Sequence, residues 1–317
     1  MSLHHKIEEL KKEIKKGVIG QDHMIDALLI GILCNGHILL EGVPGLAKTT
    51  TVKAFAQSLD IAFKRVQFTP DLLPSDIIGA QIYDMKESEF KIKKGPIFTN
   101  LLLADEINRA PAKVQAALLE VMQERQITIA EDTYMLEEPF LVLATQNPIE
   151  SAGAYELPEA QLDRFMFKII VDYNTKEEEY EIASKVTNST FETINKVFTR
   201  EDLFLLKEEI QKVHIDKELE EYIVNLIFAS RKPALYGLEH IAQYIQFGAS
   251  PRATIDMFKA VKAKAYIRGN DYVSPLDIAL IFKEVLRHRV ILSYEAQAKE
   301  VNIDDILQSI LEKVSIP

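Results

Sequence analysis

Between residues 37 and 171 the chain alternates short apolar runs with longer stretches of helical period. The runs "HILL" (37–40), "FKRVQF" (63–68), "LLLADE" (101–106), "FLVLAT" (140–145) and "FMFKIIV" (165–171) read as strands. Several are continuously apolar, which suits strands of a parallel sheet covered on both faces. The segments "KTTTVKAFAQSL" (48–59) and "PAKVQAALLEVMQER" (111–125) read as helices. In the second, Val114, Ala117, Leu118, Val121 and Met122 share a face, and Pro111 suits the first turn. This alternation predicts a doubly wound α/β domain.

Two stretches interrupt it. "AQIYDMKESEFKIKKG" (80–95) and "QITIAEDTYMLEE" (126–138) alternate around polar tips and read as hairpins. Beyond Asn174 the pattern becomes helical throughout, from "EEEYEIASKV" to "NIDDILQSILEKV", with no convincing strand. The expected division is 1–190 for the α/β domain and 191–317 for an all-helical one.

Composition narrows the function. The chain has 317 residues, enough for two cores, with 47% apolar and 27% charged residues. The net charge of −11 opposes general affinity for nucleic acid. The clusters "KKEIKK" and "KIKK" read as solvated faces. A single cysteine, Cys34, permits no intrachain disulfide, and no pair among the seven histidines has zinc-site spacing. No apolar run reaches the length of a membrane span, and "MSLHHKIEELKKEIKK" lacks the apolar core of a secretory signal. The expectation is a cytoplasmic chain.

The chemistry concentrates at strand ends. After "HILL" comes "EGVPGLAKTT", in which Gly42, Val43, Pro44, Gly45, Leu46, Ala47, Lys48 and Thr49 fill the phosphate-loop pattern, with Ala47 where the second glycine usually stands. Gly45 supplies the positive φ, and Ala47 falls where the helix begins. Backbone N–H groups and a helix N-terminus then form an anion nest. Lys48 is placed to reach the β- and γ-phosphates, and the Thr49 hydroxyl to bind Mg²⁺. The competing reading is a plain Gly/Pro turn. "LLLADE" ends in Asp105, suited to hold Mg²⁺ through water, and Glu106, suited to polarise an attacking water. The alternative is an acidic pair capping a helix. The conjunction with the phosphate loop favours hydrolysis over phosphoryl transfer to a hydroxyl. Asn147, ending "FLVLATQN", is placed to bond the γ-phosphate, or is a turn residue before Pro148. Arg164, in "LPEAQLDRF", suits a neighbouring subunit's γ-phosphate, or a surface ion pair with Asp163 or Glu159. Arg252, in "GASPRAT", stands in the first turn of a helix, against its dipole, as if an anion were expected there.

These residues together resemble the AAA+ ATPases, and the stretches "EGVPGLAKT", "ADEINRAPAKVQAALLEVMQER", "ATQNPIE", "AYELPEAQLDRF" and "GASPRAT" resemble the MoxR family in particular. The resemblance implies a P-loop NTPase (AAA+) fold: a doubly wound parallel sheet with a C-terminal all-α lid domain. It implies ATP and Mg²⁺ as ligands, held by Gly42 to Thr50, with Thr49 and Asp105 on the metal. Ile19 and Gly20, in "VIGQD", would border the adenine. Asp105 and Glu106 would be the Walker B pair, Asn147 sensor 1, Arg164 an arginine finger acting in trans, and Arg252 sensor 2. Arg109 is a further candidate for a subunit interface. The hairpins match the helix-2 insert and the pre-sensor-1 insert. A trans finger implies a homo-oligomer, a hexameric ring. The family implies chaperone-like maturation of protein clients, with a von Willebrand factor A domain protein as a partner. Alternatives are a DNA-remodelling motor, a magnesium-chelatase-type motor subunit, and a scaffold that binds ATP and hardly hydrolyses it.

Overall fold

The computed structural model describes residues 3–43, 45–147, 155–188 and 192–317. The chain packs as two compact units: Met1–Leu157 with Ile169–Leu203, and Pro158–Lys168 with Phe204–Pro317.

The strands, in chain order, are β1 (Ile38–Glu41), β2 (Phe63–Gln67), β3 (Gly79–Asp84), β4 (Glu89–Lys94), β5 (Leu101–Asp105), β6 (Gln126–Ile129), β7 (Asp132–Met135), β8 (Leu141–Gln146) and β9 (Phe167–Ile170). Among the described residues, five of them form one sheet in the order β2-β5-β8-β1-β9. The β2/β5, β5/β8 and β8/β1 pairs are parallel, with Leu103 facing Leu143 and Leu143 facing Ile38 in register. Leu101 to Ala104 and Leu141 to Ala144 are wholly buried, so the two middle strands are apolar on both faces. β2 ends the sheet and is largely exposed, with only Phe63 and Val66 partly covered. The chain crosses from β1 to the far edge at β2 and works back through β5 and β8. The carboxyl ends of β1, β5 and β8 therefore gather beside one another, where an open α/β sheet places its ligands.

Helices cover the sheet. Asp22–Leu33 buries Met24, Ile25 and every residue from Ala27 to Leu33, so it is apolar nearly all round. Ala112–Glu124 buries Val114, Leu118, Val121 and Met122 as expected, with Gln115 and Leu119 rather than Ala117. Pro111 stands at its N-cap, one residue before the first turn. Buried Gln115 donates to the carbonyls of Ile107 (3.1 Å) and Tyr155 (2.9 Å), which accounts for an amide inside the core. The charged N-terminal segment forms a helix, Leu3–Ile14, that buries Ile7, Leu10 and Ile14. Its lysines pair with acids: Lys11 with Asp26, Lys15 with Asp22 and Lys16 with Glu13.

Both hairpins are present, β3/β4 and β6/β7, each antiparallel. Tyr83 and Phe90 stack edge to face across the first, at 5.2 Å. Lys94, at its base, sits 4.9 Å from the ring centres of both Phe98 and Tyr134, the latter on β7.

The second unit is built from helices. Lys217–Arg231, Pro251–Ile267, Pro275–Leu286 and Ile303–Lys313 bury Leu226, Ile227, Met257, Val261, Ile278, Phe282, Leu307 and Ile310. The expectation of no strand there needs one correction. Ile245–Phe247 pairs antiparallel with Ile291–Leu292. Pieces of three and two residues are too short to show any period, so the sequence pattern carried no sign of them.

Candidate functional site

β1 delivers the phosphate loop. Lys48 opens the helix Lys48–Ser58, and Ala47 is its N-cap. The expected left-handed geometry is found at Gly45 (φ 92°) and also at Ala47 (φ 53°). Alanine there costs roughly 1 kcal/mol relative to glycine. Gly42 is needed for a different reason. A Cβ on it would come within 2.6 Å of the Val171 carbonyl, just beyond β9. Gly45 has nothing within 4 Å of such a Cβ, so its requirement is conformational. Pro44 lies outside the described residues.

A cleft of about 380 Å³ opens at the carboxyl ends of the strands. It is lined by Gly42, Gly45 to Thr50, Asp105, Glu106 and Asn147, together with Arg65, Gln67, Thr145 and Gln146. The two constellations expected from sequence thus share one cavity. Lys48 Nζ donates to the Gly42 carbonyl at 2.5 Å, which folds its ammonium over the loop. Burial pushes the Lys48 pKa down, against the pull of Asp105, Glu106 and Glu41.

The acidic pair is held tightly. Thr145 Oγ1 donates to Asp105 Oδ1 at 2.6 Å and accepts from the Glu106 backbone N–H at 2.8 Å. Arg65 donates to Asp105 Oδ2 through Nε at 3.0 Å and Nη2 at 2.6 Å. Gln67 Nε2 donates to Glu106 Oε2 at 2.7 Å, and Arg109 Nε lies 3.0 Å from the same oxygen. Glu106 precedes a 3₁₀ turn, Ile107–Arg109, at φ 57°, yet its side chain makes no capping bond. The helix-capping alternative therefore fails. The carboxylate instead faces the cleft at the end of a buried strand.

The donor set suits magnesium. The Thr49 hydroxyl and the Asp105 carboxylate line the same cleft. Magnesium takes one or two carboxylates and fills its shell with phosphate oxygens and water. No group of three His, Cys, Asp or Glu side chains converges among the described residues.

The remaining expected residues lie elsewhere. Val43 does not line this cleft. Nor do Ile19 and Gly20, which precede the helix Asp22–Leu33; there Gly20 has φ 70° and faces the Glu178 carboxylate. Arg164 and Arg252 belong to the second unit. Arg164 follows the short helix Glu159–Leu162. Ser250 caps Pro251–Ile267 by accepting from the Arg252 N–H at 3.1 Å. Asp163 accepts from Ser250 Oγ at 2.9 Å, pairs with Arg252 at 3.4 Å and with buried Arg289 at 3.1 Å. The anion expected at that helix start is therefore supplied within the same unit, by Asp163. Sequence reading missed Arg65, Gln67 and Thr145. Their signal was weak: polar residues at alternate positions of a strand, and a threonine at the end of an apolar run.

Fold and site together define an ATPase of the P-loop class with a helical lid. Residues 37–167 match the ATPase family associated with various cellular activities (AAA), and residues 238–310 match the AAA lid domain. The chain is 46% identical to "Chaperone MoxR1" of Mycobacterium tuberculosis, over 99% of this chain and 83% of that protein. It is 30% identical to "Protein MoxR" of Methylorubrum extorquens, over 97% of this chain and 94% of that one. A solved structure from Cytophaga hutchinsonii, described as a candidate ATPase, superposes with a TM-score of 0.94 at 52% identity, covering 99% of this chain and 96% of that one. The chain belongs to the MoxR family of AAA+ ATPases. It is an ATP-hydrolysing enzyme with chaperone-named relatives. No helix among the described residues is long and apolar enough to cross a membrane.

Proposed function

We propose that the cleft at the ends of β1, β5 and β8 binds ATP with magnesium and hydrolyses it, and that the chain works as a ring on protein clients. One observation carries the reading: Lys48 and Thr49 line the same cavity as Asp105 and Glu106. The loop from Gly42 to Thr50 cradles the triphosphate with its N–H groups, and Lys48 neutralises the β- and γ-phosphates. Thr49 and Asp105 are the residues that would hold magnesium, which would supply positive charge to offset the charge that builds up on the phosphoryl group. Glu106 orients a water whose oxygen attacks the γ-phosphorus, and takes its proton. The bond from that phosphorus to the β–γ bridging oxygen breaks, leaving ADP and inorganic phosphate. Asn147 steadies the γ-phosphate or the water. Ile19 and Gly20 border the adenine. Arg164, from a neighbouring subunit, and Arg252, on exchanging its 3.4 Å contact with Asp163 for the phosphate, stabilise the charge spread in the transition state.

A finger acting in trans makes turnover depend on assembly, and a hexameric ring is the assembly that the family resemblance implies. The relative called "Chaperone MoxR1" supports maturation or remodelling of partner proteins as the output. A von Willebrand factor A domain protein as one partner rests on the family resemblance. The net charge of −11 disfavours a DNA motor. Lys48→Ala should abolish nucleotide binding, read by equilibrium titration with a fluorescent ADP. Undiminished binding would remove the cleft as the nucleotide site. ATPase stimulation by DNA would restore the DNA-motor alternative. Capture of clients on Glu106→Gln protein loaded with ATP then identifies the output.

A further inference from the structure

β2 carries Arg65 and Gln67 two residues apart, hence on one face, with Gln67 in register with Asp105 on β5. Their side chains form a continuous chain of donors. Arg65 fills Asp105 Oδ2 with two hydrogen bonds, at 3.0 and 2.6 Å. The same Nη2 donates to Gln67 Oε1 at 3.0 Å. That contact turns the amide so that its nitrogen points to Glu106 Oε2, at 2.7 Å. One guanidinium therefore touches the metal-side carboxylate and, through one amide, reaches the water-side carboxylate.

Asp105 has little left to offer a hydrated cation. Oδ1 accepts from Thr145, and the two lone pairs of Oδ2 are taken by Arg65. A divalent ion approaching Oδ2 meets a fixed positive charge and must displace it. Arg65 can leave: its side chain is 48% exposed and stands on the edge strand. Its departure leaves Glu106 in place, because Gln67 keeps its own bond to Oε2 at 2.7 Å and Arg109 Nε lies 3.0 Å from the same oxygen.

We propose that Arg65 is a positioning residue that sets the magnesium requirement of the site. Its guanidinium competes with the hydrated metal for Asp105 and is displaced as the metal binds. The inference rests on the nucleotide site proposed above.

The test is a magnesium titration of equilibrium binding, with fluorescent methylanthraniloyl-ADP as the probe. Wild type, Arg65→Met, Arg65→Lys and Lys48→Ala are compared, with thermal melts to confirm folding. Arg65→Met should lower the half-saturating magnesium concentration about two- to fivefold, the scale of one exposed ion pair. Arg65→Lys should fall between, because an ammonium cannot bridge Asp105 and Gln67 with a planar fork. An unchanged or raised half-saturation in Arg65→Met overturns the competition. If Lys48→Ala binds the probe like wild type, the nucleotide site itself is wrong. If it loses binding while Arg65→Met titrates like wild type, only the role of Arg65 fails.

Discussion

Ala47 shows at the residue scale how the loop tolerates its missing glycine. Its φ of 53° is one that alanine adopts only at a cost, and the surrounding loop holds it there. Ala47→Gly removes that strain but adds freedom to the unfolded chain. The balance should be a gain of up to about 1 kcal/mol, seen as a raised urea midpoint at unchanged slope. His37 makes a second case. It is 5% exposed, its ring accepts from the Val142 N–H at 3.0 Å, and Nε2 donates to the Met122 carbonyl at 2.9 Å. That pattern requires the neutral ring. Burial pushes its pKa from 6.5 down to about 4, the Met122 carbonyl opposing and Arg125 adding. Between those values the unfolded chain binds the extra proton, so stability is full above pH 6.5 and is lost as pH falls towards 4. The loss is on the order of 3 kcal/mol. Thermal melts from pH 7 to 4 should fall less steeply for His37→Asn than for wild type; parallel slopes would show that another group sets the acid sensitivity.

Regular elements were legible where burial imposes a pattern. All five sheet strands were legible to within a few residues: β1, β5 and β8 because strands covered on both faces admit few polar interior positions, and β2 and β9 because their apolar residues recur around Lys64, Arg65 and Lys168. Both hairpins showed through their alternation. The phosphate loop and the acidic pair were legible because their chemistry demands particular residues at particular spacings. Arg65, Gln67 and Thr145 were not, since their roles come from register between strands distant in sequence. The positive φ of Ala47 was hidden because nothing in an alanine announces it. At this scale the two hairpins meet through Lys94, shared between the Phe98 and Tyr134 rings. Lys94→Met should cost about 1 kcal/mol and speed amide hydrogen exchange in Gln126–Met135 more than in the central strands. Uniform exchange changes would mean the contact does not tie the hairpins together.

For the whole molecule, the reading turns on whether Arg164 serves its own chain's site or a neighbour's. Arg164→Ala should keep nucleotide affinity and lose turnover by roughly a thousandfold or more. Wild-type specific activity should rise with protein concentration, and mixing with the Arg164 variant should depress it beyond simple dilution. Activity that is independent of concentration would take the finger out of the account.

β2 has a further part to play, because it closes the sheet on one side. A terminal strand is a template on which another molecule's strand can add. Lys64 and Arg65 are both exposed there. Two copies approaching rim to rim would set like charges against each other, and cross-molecule strand addition is discouraged. The cation that attends Asp105 thus doubles as a gatekeeper against aggregation.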